Sequence, residues 1–237
     1  MKDVALITVL FDYPENYPPS YQKNASKYFA PEDMHVVRHN GLIEGSYYDK
    51  LLFYKVNKLL DYVKEHILGK YKYMLFLDAT DTNFYRDPST IVEDFLELNK
   101  SLILGAERGM WPPTNYSHLY EQKRKDSDAY FLNSGTYFGY VDKIVEHLTN
   151  IATKNYQHGI DDQGQWTIEY LLHEDIEVDQ ERTFFFSTYN TAVFVDIQEN
   201  GSVKLLNINP YVIHDNGPFT DDTIKLTDKL NEDNKDK

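Results

Sequence analysis

Apolar positions along the chain form two kinds of run. Residues 4–10, VALITVL, and 73–77, YMLFL, are continuously apolar, as expected of central strands covered on both faces of a parallel sheet. From about Ser46 to Leu68 the period changes. Leu51, Leu52, Val56, Leu59, Leu60, Val63 and Ile67 recur at three- and four-residue spacings, which predicts a helix. Residues 34–38, MHVVR, and 101–104, SLIL, read as further short strands. Thr90 and Glu93 offer a capping box for a helix through about Leu98. Residues 129–140, AYFLNSGTYFGY, read as extended segments around a glycine turn. Helices are expected at 141–152, where Val141, Ile144, Val145, Leu148 and Ile151 form a stripe, and from Gln163 to Leu172. The remainder alternates short extended pieces, TFFF, AVFVDI, SVKLLN and YVIH.

Strands alternate with helices in the first half and become irregular in the second. The expected class is therefore α/β, an open and mostly parallel sheet flanked by helices with a mixed, partly antiparallel end. Residues 1–220 read as one domain. Residues 221–237 are charged and poor in apolar positions and read as a flexible tail. No stretch approaches the length of a membrane span. The short apolar run at the N-terminus reads as a first strand rather than a signal peptide, so a cytoplasmic location is expected.

Composition narrows the chemistry. The 237 residues carry a formal charge of −14, which disfavours nucleic acid and anionic lipid as partners. An acidic body still binds a phosphorylated ligand when a divalent cation bridges the two. With no cysteine, thiolate metal sites and disulfides are excluded. The 20 tyrosines supply rings and hydroxyls suited to sugar or base contacts, although ordinary packing also uses them.

The most informative segment is YMLFLDATDTNF, residues 73–84. Here a buried strand runs directly into Asp78 and Asp81, at the carboxyl end where open α/β sheets bind ligands. Holding two nearby carboxylates ionised calls for a cation, and oxygen ligands suit Mg2+ or Mn2+. A turn cap is the ordinary reading of such a pair alone. In YVIHDNGPF an apolar strand delivers His214 into a loop, where an imidazole added to the carboxylates favours Mn2+ over Mg2+. Glu107 and Trp111 follow another strand in LGAERGMWPP, and the indole offers a flat face to a sugar or a plug for the loop. Asn133 and Ser134 precede the glycine turn and offer polar groups to sugar hydroxyls. Of Asp161 and Asp162 in GIDDQGQW, one is expected to cap the following helix and the other to orient a donor sugar or act as base.

The order LDATD, AERGMWP, FLNSGTYFGY, DDQ and VIHDNGP resembles the glycosyltransferase domain of procollagen lysyl hydroxylases, from about Asp3 to about Thr220. The resemblance implies a GT-A fold, a UDP-sugar donor and Mn2+. It implies that Asp78, Asp81 and His214 hold the metal against the diphosphate, with Asn216 and Gly217 beside it. It implies that Glu107, Trp111, Asn133, Ser134, Asp161, Asp162 and Gln163 face sugar and acceptor, that Thr8 and Val9 touch the base, and that Lys50 meets phosphate. In an inverting enzyme Asp161 or Asp162 would take the acceptor's proton as base; in a retaining enzyme the diphosphate itself could assist. Two positions depart from the family pattern. Thr80 stands where an aromatic often stacks on uracil, which leaves Phe11 or Tyr13 for that role. The segment after NGP lacks the family's lysine. The oxygenase half is missing, so hydroxylation is not expected.

The expected activity is metal-dependent transfer of a hexose, from UDP-glucose or UDP-galactose, to a hydroxyl on a glycan, lipid-linked or protein acceptor. The competing readings are a sugar-nucleotide or glycan-binding module without turnover, and a metal-dependent phosphohydrolase. Against the hydrolase, the first strand ends in Thr8-Val9-Leu10 rather than in an aspartate.

Overall fold

The computed structural model describes residues 3–11, 13–39, 46–113, 116–154, 160–189, 195–197, 203–205 and 208–216. The expected tail from Asp221, like Gly217, lies outside them.

Both apolar runs are central strands. Val4–Phe11 (β1) pairs in parallel with Met34–His39 (β2) and with Tyr73–Leu77 (β3). The sheet continues through Phe131–Tyr140 (β6) and Leu102–Glu107 (β5) to Ile176–Val178 (β7), in the order β2-β1-β3-β6-β5-β7. Only β6 runs against the rest, and it lies between β3 and β5 rather than at an edge. Continuous burial along β1 and β3 reflects two covered faces. Ala5, Ile7, Val9, Met74 and Phe76 point into one core, while Val4, Leu6, Tyr73, Leu75 and Leu77 point into the other.

The first face is covered by a long helix in three parts. Tyr47–Leu52 (α2) and Leu59–His66 (α3) are joined through a widened π turn at Phe53–Lys58. Val141–Lys154 (α6) and Asp162–Leu172 (α7) complete that layer. The second face takes Ile91–Glu97 (α4) and a small mixed sheet of Thr82–Phe84 (β4), Val212–His214 (β11) and Phe185–Ser187 (β8), ordered β4-β11-β8. Short helices Gln22–Ala25 (α1) and Ser117–Lys123 (α5) and a hairpin of Val195–Ile197 (β9) with Val203–Leu205 (β10) complete the described elements. No helix among the described residues is long and apolar enough to cross a membrane.

Two local expectations are corrected. Ser46 and Asp49 form the reciprocal capping box of α2, whereas Thr90 makes no cap hydrogen bond. The Thr90 hydroxyl is 2.8 Å from that of Tyr211, and Asp87 accepts from the Ser89 N–H to cap the turn before α4. Residues 131–140 are one strand, not segments around a turn. The register against β5 slips between Leu104 and Gly105, from Tyr137 to Asn133, and the slip bulges Ser134 to Thr136 out of the pairing.

Candidate active site

Strands β1, β3 and β5 end at one rim of the sheet, where antiparallel β6 begins and α7 presents its N-terminus. A cleft of about 480 Å3 opens there, lined by Lys55, Asp78, Asp81, Glu107, Trp111, Asn133, Ser134, Asp161, Asp162, Gln163, His214 and Asn216, among others.

Main-chain pairing assembles its centre. Asp78 follows the last residue of β3, and its N–H donates to the Gly135 carbonyl in the bulge at 2.7 Å. The chain then turns into β4, which pairs with β11 so that Thr82 faces His214. The Asp215 N–H donates to the Asp81 carbonyl at 2.7 Å, tying the two loops together. His214 Nε2 thereby comes within 3.4 Å of Asp81 Oδ2 and 3.7 Å of Asp78 Oδ2. Gly135 floors this cluster. A Cβ there would collide with His214 Cε1 and lie 2.7 Å from Asp78 Oδ2, so only glycine fits the bulge.

Hydrogen bonding decides the imidazole's tautomer. Asn133 Nδ2 donates to Glu107 Oε2, which turns Asn133 Oδ1 towards the Gly135 N–H at 2.9 Å and His214 Nδ1 at 2.9 Å. Nδ1 therefore carries the proton and donates. Nε2 is left with its lone pair, buried, with no hydrogen-bond partner and facing two carboxylates. Such a face attracts a proton or a metal ion. Burial alone would lower the affinity of the His214 ring for a proton, but the charges of Asp81 and Asp78 outweigh it and push His214 up. For Asp81, burial works in favour of the neutral form, and the His214 and Lys55 charges win and hold it below the usual carboxylate range. One imidazole and two carboxylates from separate stretches of chain suit a divalent ion that also accepts phosphate oxygens.

A lysine completes the electrostatics. Lys55 stands in the π turn, with Nζ 2.7 Å from Asp78 Oδ1, 2.9 Å from Asp78 Oδ2 and 3.9 Å from Asp162 Oδ2. Burial opposes its charge, but Asp162 and Asp78 more than compensate and hold the ammonium firmly protonated.

The far wall is a ring of amides around Glu107. Gln163 Nε2 donates to Oε1 at 2.7 Å, and Asn133 and Asn216 donate to Oε2. Burial still leaves the Glu107 carboxyl above its ordinary range. The adjacent aspartates divide their work. Asp161 caps α7 by accepting from the Gly164 N–H at 2.9 Å and takes the Trp111 indole N–H on its other oxygen at 2.7 Å. Asp162 accepts from the Ser134 hydroxyl at 2.8 Å and faces Lys55. Trp111 is thus held through its ring nitrogen while the residue as a whole stays 46% exposed at the rim.

The model of the PLOD GT domain matches residues 52–233. The chain belongs to this family. As a PLOD GT domain it is a glycosyltransferase. It is 27% identical over 177 residues to the multifunctional procollagen lysine hydroxylase and glycosyltransferase of Caenorhabditis elegans, covering 69% of this chain and 24% of that one. It is 25% identical over 167 residues to uncharacterized protein R699 of Acanthamoeba polyphaga mimivirus, covering 69% of this chain and 35% of that one. The match thus spans about a quarter to a third of the length of these relatives. In fold it is similar to the crystal structure of a glycosyltransferase involved in the glycosylation of the major capsid of PBCV-1. The TM-score is 0.53 at 10% identity, over 96% of this chain and 99% of that one.

Within this PLOD GT domain, Asp78, Asp81, Glu107, Trp111, Asn133, Ser134, Asp161, Asp162, Gln163, His214 and Asn216 all line the cleft. Thr8, Val9 and Lys50 do not. Thr8 and Val9 are interior residues of β1, 0% and 6% exposed, with Val9 in the helix-covered core. Lys50 lies on α2 outside the cleft, and Lys55, more than one turn later, is the lysine that enters it. Of the aromatics expected near a base, Phe11 stacks on Tyr54 at 4.5 Å, and Tyr13 packs against Tyr17 and is 44% exposed. Lys55 left a trace in the sequence. It occupies an apolar slot of the helix stripe, three and four residues after Leu52 and Leu51 and four before Leu59, where a solvated lysine has no reason to be.

Proposed function

We propose that this glycosyltransferase is metal-dependent, with Mn2+ preferred to Mg2+, and moves a hexose from a nucleotide sugar, UDP-glucose or UDP-galactose, to an acceptor hydroxyl. One observation carries the reading: the unpartnered Nε2 lone pair of His214, aimed between Asp78 and Asp81. When bound there, the ion would act as a Lewis acid that neutralises charge gathering on the departing diphosphate.

The chain's own residues supply the rest. Five carboxylates line the cleft, Asp78, Asp81, Glu107, Asp161 and Asp162, and would repel a diphosphate on their own. Lys55 offers a fixed positive charge at the same place and is positioned to transfer its contact from Asp78 to a phosphate oxygen. Asn133 holds the imidazole in the ligating tautomer. Trp111 presents a rigid face to a sugar ring. Asp161 uses both oxygens on Gly164 and Trp111, so it positions rather than takes a proton, and Asp162 is the better base for an incoming hydroxyl.

The test is a panel of nucleotide sugars scored for release of the nucleoside diphosphate, with Mn2+, with Mg2+ and after chelation, alongside phosphate monoesters. Mn2+-dependent cleavage of a UDP-hexose supports the reading. Cleavage of monoesters alone, or binding of nucleotide sugar with no turnover, overturns it.

A further inference from the structure

A second imidazole–carboxylate cluster lies where α6 packs on α7. Glu169 is about two turns beyond the cleft end of α7, seven residues or roughly 10 Å along the axis from Asp162. It is 0% exposed, and its Oε1 lies 2.8 Å from His147 Nδ1, 3.3 Å from His173 Nε2 and 2.9 Å from Asn150 Nδ2. His173 is the C-cap residue just past the end of α7, four residues after Glu169, while His147 comes from α6. One donor atom from each of the three lies within 4.8 Å of the others.

His147 is the informative member. Its ring is 1% exposed with a carboxylate at each nitrogen, Glu169 at Nδ1 and Asp175 at Nε2, 3.5 Å away. With Glu169 at Nδ1 and Asp175 at Nε2, an ion on Nδ1 would let Nε2–H point to Asp175, the outer partner usual for metal-bound histidines. Donor atoms around a tetrahedral ion with bonds near 2.0–2.1 Å sit about 3.3 Å apart; Glu169 Oε1 lies 2.8 and 3.3 Å from the two imidazole nitrogens, and all three donor atoms fall within 4.8 Å of one another. Partial exposure of His173 gives an ion a route in and leaves room for a water ligand.

We propose that His147, Glu169 and His173 form a second metal site, for a zinc-class divalent ion, which clamps α6 to the end of α7. The site stands apart from the cleft and does not depend on the glycosyltransferase reading.

Untagged, chelator-stripped protein titrated with cobalt(II) chloride, then challenged with zinc chloride, tests it. The His214→Ala variant, with its cleft cluster broken, is expected to bind one equivalent of cobalt with the absorption of a low-coordinate, histidine-bound ion. Zinc should displace the cobalt and raise the melting temperature by several degrees. Added to His214→Ala, the substitution His173→Ala, which truncates a partly exposed ring, should abolish that absorption and the zinc-induced rise, with zinc affinity down about a hundredfold or more. Glu169→Gln, of the same shape, should do likewise. The proposal is overturned if His214→Ala binds no cobalt, or if the double variant His214→Ala with His173→Ala keeps the same spectrum and the same zinc-induced rise.

Discussion

The two imidazole–carboxylate clusters, two aspartates with one histidine and one glutamate with two histidines, differ most in what surrounds them. At Asp78, Asp81 and His214 the side chains arrive from strand ends and loops joined by the pairing of β4 with β11, and both carboxylates open on the cleft. At His147, Glu169 and His173 they arrive from two packed helices and the residue that caps the end of α7, with two of the three fully buried. The first cluster opens on the cleft beside Lys55, which suits the exchangeable ion site proposed there. The second is closed on all but one side, as a clamp would be. Composition alone does not separate a reactive ion site from a structural one; access and nearby charge do.

Removing a ligand from each cluster should break this contrast most visibly. His214→Ala and Asp81→Ala should each lower metal-dependent transfer by about a thousandfold, about 4 kcal/mol of transition-state stabilisation, while far-UV circular dichroism stays unchanged. Gly135→Ala should cost on the order of a hundredfold, because the new methyl displaces the imidazole; a structure of the variant would show the ring moved. Lys55→Ala should cost about ten- to a hundredfold in kcat/KM for the donor, much of it restored by arginine if charge is what matters. His173→Ala, by contrast, should leave transfer within about twofold, so steady-state kinetics on this variant sharpen the division between the clusters.

A pH series adds a finer distinction. Because Asp81 and Asp78 hold His214 above the ordinary imidazole range, protons compete with an ion at Nε2. Manganese affinity at the cleft should therefore be full above that raised value and weaken as the pH falls through it, which calorimetric titration between pH 6 and 8, on the order of the imidazole range, would register.

Much of the fold is legible in the sequence because it is local. The runs at 4–10 and 73–77 mark central strands, and a strand running straight into Asp78 points by itself to the ligand rim. Non-local bonding is not legible. Thr90 meets the sequence pattern for a cap, but Tyr211, 121 residues away, takes its hydroxyl. Gly135 suggests a turn, but its role is a bulge that clears space for His214. Lys55 interrupts an apolar stripe, yet its purpose shows only with the π turn and Asp78 placed beside it. β4 is three residues long and has no periodicity to detect, although it aligns His214 with the aspartates.

Crystals soaked with manganese chloride and UDP, with diffraction recorded on both sides of the manganese absorption edge, test the central claim most directly. The account predicts an anomalous peak bonded to His214 Nε2 and to carboxylate oxygens of Asp78 and Asp81, with diphosphate oxygens completing the shell. A manganese peak that avoids these three residues while UDP is bound would contradict it.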